Sequence, residues 1–199
     1  MTMIQIPKWM AAPILMMAMV ASGADTHNWK LDPSHSEADF AITHMAISTV
    51  HGNFRGVSGT IHFDPDNISG SSVEANIDVN TVSTGVEARD SHLRGPEFFE
   101  VSKYPNMTFK STSIKKVGDG YNVYGDLSLH GVTRPVTLKL EEPGKEETDA
   151  KGMHHRGFTA TTMINRKDFG LLYAQKTSVG DAMLGDDVKI ELDIEAIRQ

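Results

Sequence analysis

The sequence predicts an all-β fold of antiparallel strands, and three observations predict it. Apolar and polar residues alternate with period two through most of the chain beyond Ser36. Short clusters of turn-forming residues separate the alternating segments, and one segment alone carries helix signals.

The first alternation sets Ala38, Phe40 and Ile42 against Glu37, Asp39, Ala41 and Thr43, the pattern of a half-buried strand. A second strand covers 47–54. The third, 57–63, turns Ile61 and Phe63 inward and Ser58, Thr60 and His62 outward, and a fourth follows at 73–79. Met107 and Phe109 alternate with Thr108 and Lys110. Tyr121, Val123, Leu127 and Leu129 alternate with Asn122, Tyr124, Asp126 and Ser128, and Val136, Leu138 and Leu140 with Thr137, Lys139 and Glu141. Phe158, Ala160, Thr162 and Ile164 form another face. Val188, Ile190, Leu192, Ile194 and Ala196 form the clearest one, opposite Lys189, Glu191, Asp193 and Glu195, which brings the expectation to about nine strands.

Asp64-Pro65-Asp66-Asn67, Gly118-Asp119-Gly120 and His130-Gly131-Val132-Thr133 suit tight antiparallel reversals. The acidic stretch 141–152 has no periodicity and reads as a solvated loop within one domain. Thr84-Gly85-Val86-Glu87 has capping-box spacing, and Gly95-Pro96 supplies a stop. A helix is therefore expected over 85–94, delivering the chain to Phe98 and Phe99 at one end of the strands.

Such strands can build a soluble barrel, a two-sheet sandwich, or a membrane barrel with its apolar face outward. A membrane barrel needs aromatic girdles, yet beyond residue 24 the chain holds one Trp and four Tyr. The apolar faces are accordingly assigned inward, with Phe40, Ile42, Ile61, Phe63, Ile77, Phe109, Leu127 and Ile190 inside.

At 199 residues and 39% hydrophobic, the chain supports one domain with a real core. A formal net charge of −7 argues against binding to phosphate backbones. The absence of cysteine excludes disulfides, thiolate metal sites, iron–sulfur clusters and cysteine nucleophiles. Residues 1–24 stand apart: Lys8 is their only charge, and an apolar run leads to Ser22-Gly23-Ala24. That order is a secretory signal, and the run, broken by Pro13, falls short of the roughly 20 apolar residues that span a bilayer. The expected organisation is a signal peptide, 1–24, cleaved before Asp25, and one exported domain, 25–199, in the periplasm or outside the cell.

Motifs of catalysis are absent: there is no G-x-S-x-G, H-E-x-x-H, G-x-x-x-x-G-K-[ST], or G-x-G-x-x-G opening a helix after a strand. His154-His155 is the only adjacent histidine pair, and its glycine-flanked setting reads as an exposed turn rather than a metal site. Asp64-Pro65-Asp66-Asn67 begins like a calcium loop but has Ile68 where an oxygen ligand belongs and Ser69 where glycine is required. Arg89-Asp90 admits two readings, a guanidinium presented to an anion at a barrel mouth or an ion pair pinning the helix. An eight-stranded barrel is about the size whose interior is either filled or open to one ligand.

Longer blocks are more specific than any of these motifs. Trp29-Lys30-Leu31-Asp32-Pro33-Ser34-His35-Ser36, Phe40-Ala41-Ile42-Thr43-His44, Gly52-Asn53-Phe54 and Gly59-Thr60-Ile61-His62-Phe63-Asp64 occur in order. Arg89-Asp90-Ser91-His92-Leu93-Arg94, Phe98-Phe99, Lys103-Tyr104-Pro105, 108–112, 125–136 and Ile164-Asn165-Arg166-Lys167-Asp168-Phe169-Gly170 follow. This series resembles the YceI-like family of polyisoprenoid-binding periplasmic proteins over 25–199. Ala182-Met183-Leu184-Gly185 departs from it, in a region that is usually shorter.

The resemblance implies a lipocalin-like antiparallel β-barrel with an apolar tunnel and a short helix near one end. It also implies an isoprenoid diphosphate, isoprenoid quinone or fatty-acid derivative as the bound ligand, with no other cofactor and no metal. Phe40, Ile42, Phe63, Phe98, Phe99, Phe109 and Phe169 are expected to line the path, with Phe98 and Phe99 near an entrance. Arg89, His92 and Arg166 are the expected contacts for a polar or anionic head. The expected function is non-catalytic carriage or storage of a long-chain amphiphile in the periplasm. The alternatives are a small hydrolase or isomerase using His44 or Asp90 in the cavity, and a secreted interaction module with a filled core. The expected partner is a long-chain lipid or isoprenoid, with no nucleic acid, no stable transmembrane anchor, and a homodimer as the open question of assembly.

Overall fold

A strand that is apolar on one face must bury that face, and a single sheet does so by curling until its edges meet. In the computed structural model, which describes residues 27–176, 178, 180 and 182–199, the chain follows that route. The expected signal segment 1–24 and its cleavage site lie outside the described residues. The strands are β1 (Asn28–Leu31), β2 (Glu37–His44), β3 (Ser48–Phe54), β4 (Ser58–His62), β5 (Ser72–Asp78) and β6 (Asn106–Val117). They continue as β7 (Gly120–Leu129), β8 (Val132–Leu140), β9 (Glu147–Thr148), β10 (His154–Asn165) and β11 (Leu184–Arg198), with one α-helix, α1 (Glu87–Arg94).

All pairings are antiparallel, in the order β3-β2-β11-β1-β4-β5-β6-β7-β8-β10-β9, and β10 also pairs with β11. β1 and β2 take successive stretches of one edge of β11, while β4 pairs with β1 and β3 with β2. These broken strands act as two staves, so the sheet closes as an eight-stranded barrel. The nine expected strands are all present. β1 is too short to show a period, and β9 lies within the stretch 141–152 that was expected to be loop throughout.

The break between β1 and β2 is fixed by chemistry legible in Asp32-Pro33-Ser34-His35-Ser36. The Asp32 N–H donates to the Glu195 carbonyl at 2.9 Å, the Ser36 hydroxyl donates to the same carbonyl at 3.1 Å, and the Glu195 N–H donates to the Ser36 hydroxyl. Ser36 is buried, so these bonds replace its lost hydration. Between β7 and β8, His130 (φ 51°) and Gly131 (φ 75°) form the two-residue left-handed turn that matches strand twist.

One end of the barrel is plugged. Phe63 lies edge-on to Tyr121 at 5.7 Å and to Phe158 at 6.0 Å, and Trp29, 1% exposed, lies edge-on to Phe158 at 6.4 Å. The Arg156 guanidinium covers them, 5.1 Å from the Trp29 ring and 5.6 Å from that of Phe63, an attraction worth about 2 kcal/mol where water is excluded. No helix among the described residues is long and apolar enough to cross a membrane.

Two local expectations are corrected. Helix α1 begins at Glu87 rather than residue 85, with Val86 as N-cap and no capping box. Gly85 is left-handed (φ 74°), and the Thr84 hydroxyl donates to Asp90 instead. His154-His155 is not a turn but the start of β10, His154 bonding Glu146 and Thr148 while His155 meets Glu195 and Asp149.

The His155 Nδ1 lies 2.7 Å from a Glu195 carboxylate oxygen and its Nε2 3.4 Å from Asp149, an ion-pair rather than a hydrogen-bond distance. The Glu195 bond chiefly raises the His155 pKa above its ordinary 6.5, with Asp149 adding to it. Asp149 is held below its ordinary 3.8, first by the Met153 N–H. A raised histidine pKa stabilises the fold fully below 6.5 and ceases to do so as pH rises through the folded value. His155→Gln should therefore lower the melting temperature at pH 5.5 and lower it less at pH 8.5, as calorimetry at the two pH values would show.

Candidate functional site

The barrel encloses a cavity of about 390 Å³, within the roughly 300–1,000 Å³ of small-molecule sites. It reaches from Leu31, Ile61 and Ile194, beside the aromatic plug, to His44, Tyr173 and Leu184 at the other end. From Ile194 to Val188 is six regularly paired residues of β11, about 20 Å at roughly 3.3 Å per residue, and the cavity continues past the bulge between Val188 and Leu184. Its wall is almost wholly aliphatic and aromatic.

The space exists because two large rings lie back against glycine. Phe40 on β2 stands directly opposite Gly52 on β3, and a Cβ at Gly52 would sit 2.4 Å from the Phe40 ring. Phe109 on β6 stands opposite Leu127 of β7 and Ala75 of β5, and its ring reaches diagonally over Gly125, 2.4 Å from where a Cβ there would sit. With those small residues the rings cover the wall; with larger ones they would be driven toward the barrel axis.

The open end is built by α1 and the segments beside it. β5 ends at Asp78, and the chain then runs along the free edge of β3, where Asn53 and Ser83 exchange backbone hydrogen bonds of 2.8 and 2.9 Å. Thr84 and α1 follow. Asp90, 4% exposed, accepts from the Thr84 N–H at 2.8 Å and from its hydroxyl. The same hydroxyl accepts from Arg89 Nε at 2.6 Å, and Arg89 Nη2 donates to the Thr84 carbonyl at 3.1 Å. The ion-pair reading of Arg89-Asp90 falls short, because the two residues are joined through Thr84 rather than directly, whereas Arg89 does line the cavity, where a guanidinium presented to an anion would stand. Beside them His92, Phe98 and Tyr173 stack edge-on and tilted, with centroids 4.5–5.5 Å apart, and His92 Nε2 lies 2.7 Å from Glu97.

Of the residues singled out from the sequence, Phe40, Ile42, Arg89, His92, Phe98, Phe99, Phe109 and Arg166 come together around this cavity. Phe63 does not, because it belongs to the aromatic plug at the closed end. Phe169 does not either: it is 2% exposed in the 3₁₀ turn Arg166–Phe169, where its carbonyl accepts from His130 Nδ1. Arg166 reaches the cavity wall with its guanidinium already engaged. Nε donates to the Gly185 carbonyl at 2.8 Å, Nη1 to that of Leu171, and Nη2 to Asp186 at 3.2 Å. Those bonds fasten the 3₁₀ turn to the start of β11 and give Arg166 a structural occupation rather than a free headgroup contact. Tyr173 was missed because it lies in an aperiodic segment where no local pattern marks an inward residue.

The residues considered for catalysis do not converge. His44 lines the cavity and Asp90 does not. Asp32, His35 and Glu195 place their donor atoms within 4.8 Å of one another and could hold a metal ion. Asp32 and His35 already bond each other at 2.8 Å, Asp32 also accepts the Ser34 N–H, and His35 is exposed.

Two outcomes follow from this geometry. Gly125→Val should turn Phe109 into the cavity, destabilising the fold by about 1–3 kcal/mol by overpacking and shrinking the cavity, as urea denaturation and a crystal structure would show. Arg166→Lys should cost about 2 kcal/mol, because one ammonium cannot replace three diverging donors.

Comparison with known proteins agrees with this architecture. Residues 29–196 match the family model described as YceI-like domain. A UPF0312 protein of Yersinia pestis is 36% identical over 184 residues, covering 92% of each chain, and one of Pectobacterium atrosepticum is 37% identical over 187 residues, covering 94% of each. Among solved structures, the Campylobacter jejuni YCEI protein is 30% identical with a TM-score of 0.66, over 79% of this chain and 90% of that one. BcnA of Burkholderia cenocepacia, at 23% identity and TM-score 0.69 over 83% and 98%, shares the fold. So does a polyisoprenoid binding domain from Saccharophagus degradans, at 18% identity and TM-score 0.61 over 86% and 98%. With residues 29–196 matched by the family model and relatives 36–37% identical over almost its whole length, the chain belongs to the YceI-like domain family.

Proposed function

We propose that this protein binds a long-chain amphiphile, a polyisoprenoid or a fatty-acid derivative, in its barrel cavity and carries or stores it unchanged after export to the periplasm. The observation that carries this reading is the long, narrow, apolar cavity with its polar side chains gathered mainly toward one end. Each methylene transferred from water into such a cavity contributes roughly 0.8 kcal/mol, so tail contacts alone give tight binding with loose selectivity for the head. The polyisoprenoid binding domain that shares the fold supports the same ligand class.

Arg89 and His92 are the proposed head contacts. Arg89 lines the cavity beside Thr84, its Nε and Nη2 both given to that residue, and makes no ion pair among the described residues. A phosphate or carboxylate there would gain a charge-assisted bond. Non-catalytic binding is favoured over a hydrolase or isomerase because the cavity wall is almost wholly apolar and the two residues considered for catalysis do not meet, His44 lining the cavity while Asp90 is held by Thr84.

Native mass spectrometry of protein purified from its own cells should show one long-chain lipid per chain and a polypeptide beginning at Asp25. Protein that carries no lipid, and whose melting temperature is unmoved by added polyisoprenyl phosphate and fatty acid, would overturn the reading. Phe109→Glu should abolish lipid retention while circular dichroism still reports the barrel. Arg89→Ala should shift preference among heads, with little change in the dependence on tail length.

A further inference from the structure

The barrel wall is not equally closed all round. β10 pairs with β11 from His155 to Asn165 without interruption, and β7 pairs with β8 over the whole length of β8. Between β8 and β10, the pairing in register is confined to Thr161 with Lys139 and Ala160 with Leu140. Beyond that point, toward the open end, the edges diverge, and the bond across them is a side-chain one, from the Thr162 hydroxyl to the Thr137 carbonyl at 2.9 Å.

An outer groove occupies this divergence, and it touches consecutive residues on both strands, 134–137 on β8 and 161–165 across β10. Successive side chains of a strand point to opposite faces. A groove that touches every successive residue of two neighbouring strands runs along their backbones, between the inward and the outward side chains. Val136, Thr162 and Ile164 line this groove and the internal cavity alike. Outside, the groove is lined by Arg134, Lys139 and Lys189 against the single carboxylate of Asp168, in a chain whose net charge is −7. Lys189 also lies 3.9 Å from Glu191. Met163, 65% exposed, adds an apolar surface at the same place.

We propose that the β8–β10 seam is a side entrance to the cavity: the tail of an anionic long-chain amphiphile passes between Val136 and Ile164 while its head is first held outside against Arg134, Lys139 and Lys189, before moving along the seam to Arg89 and His92 at the open end. This rests on the reading that the cavity holds such a chain. The passage widens without breaking a backbone ladder, since the register pairing of these edges stops at Thr161 and Lys139 and what crosses beyond it are side-chain bonds, Thr162 to the Thr137 carbonyl and Arg134 to the Asp168 carbonyl. It lets a tail enter sideways instead of threading end-on past His92, Phe98 and Tyr173.

The chain has no cysteine, so Pro135→Cys with Met163→Cys places two unique thiols on exposed positions either side of the seam. Joining them with a short bis-maleimide, and following uptake of cis-parinaric acid by stopped-flow fluorescence, tests the passage. Linked protein should take up the probe at least tenfold more slowly than the same variant with separately capped thiols, and reach the same endpoint. Probe loaded before linking should be released correspondingly slowly. Unchanged rates of uptake and release, or expulsion of preloaded probe on linking, would overturn the proposal. Lys139→Glu with Lys189→Glu should slow uptake of the anionic probe several-fold at low salt and leave its methyl ester unaffected; equal effects on both would remove the role given to the cations. Failure of the unaltered protein to take up the probe at all would instead overturn the cavity reading itself.

Discussion

An inward side chain in an eight-stranded barrel has two places to go: toward the axis, where it fills the interior, or back against the wall, where it leaves the interior open. Everything else in this protein depends on the second choice at Phe40 and Phe109. Each ring lies within 2.4 Å of where a Cβ would stand on Gly52 or Gly125, so a glycine on the neighbouring strand is what permits the open barrel. Glycine weakens an isolated strand by its entropy and its lack of a side chain to pack. Here the ring supplies that missing packing, and the same pair lines the cavity.

An open interior must still be closed at one end. Phe63, Tyr121, Phe158 and Trp29 meet edge to face there, under the Arg156 guanidinium. The opposite, open end is rimmed by α1, the aromatic cluster of His92, Phe98 and Tyr173, and the junction that Arg166 holds between the 3₁₀ turn and β11. An amphiphile has one apolar and one polar end, and the cavity repeats that asymmetry. The weaker closure between β8 and β10 adds a second way through the wall without opening the plug.

Charge follows the same axis on the outside. Along the outer face of β11, Asp187 and Lys189 give way to Glu191, Asp193 and Glu195. Glu37 stands opposite Asp193 and Asp39 opposite Glu191, and burial, then these neighbouring carboxylates, raise the Asp39 pKa. Like charges paired across strands oppose folding, so this acidic stretch adds little to the barrel. It does set the cationic seam apart from the closed end, giving the molecule a directional field beyond its net charge.

Period two determined by itself that Ala38, Phe40, Ile42 and the inward residues of β11 share a face, because a strand has only two sides. Nine strands were legible for that reason, helix α1 was legible from its start and stop signals around Thr84-Gly85-Val86-Glu87 and Gly95-Pro96, and the long family blocks indicated a barrel. Tertiary structure alone decided which aromatic residues surround empty space. Phe63 and Phe109 alternate identically in sequence, yet one seals an end and the other lines the cavity, because position along the barrel axis depends on the register of strands distant in the chain. Arg166 was indistinguishable from Arg89 until the fold brought Gly185, Leu171 and Asp186 to its donors. The seam between β8 and β10 had no local signal, since each strand alternates normally and only their mutual divergence opens the wall. Alternation assigns a side chain to a face; closure of the barrel decides what stands opposite it.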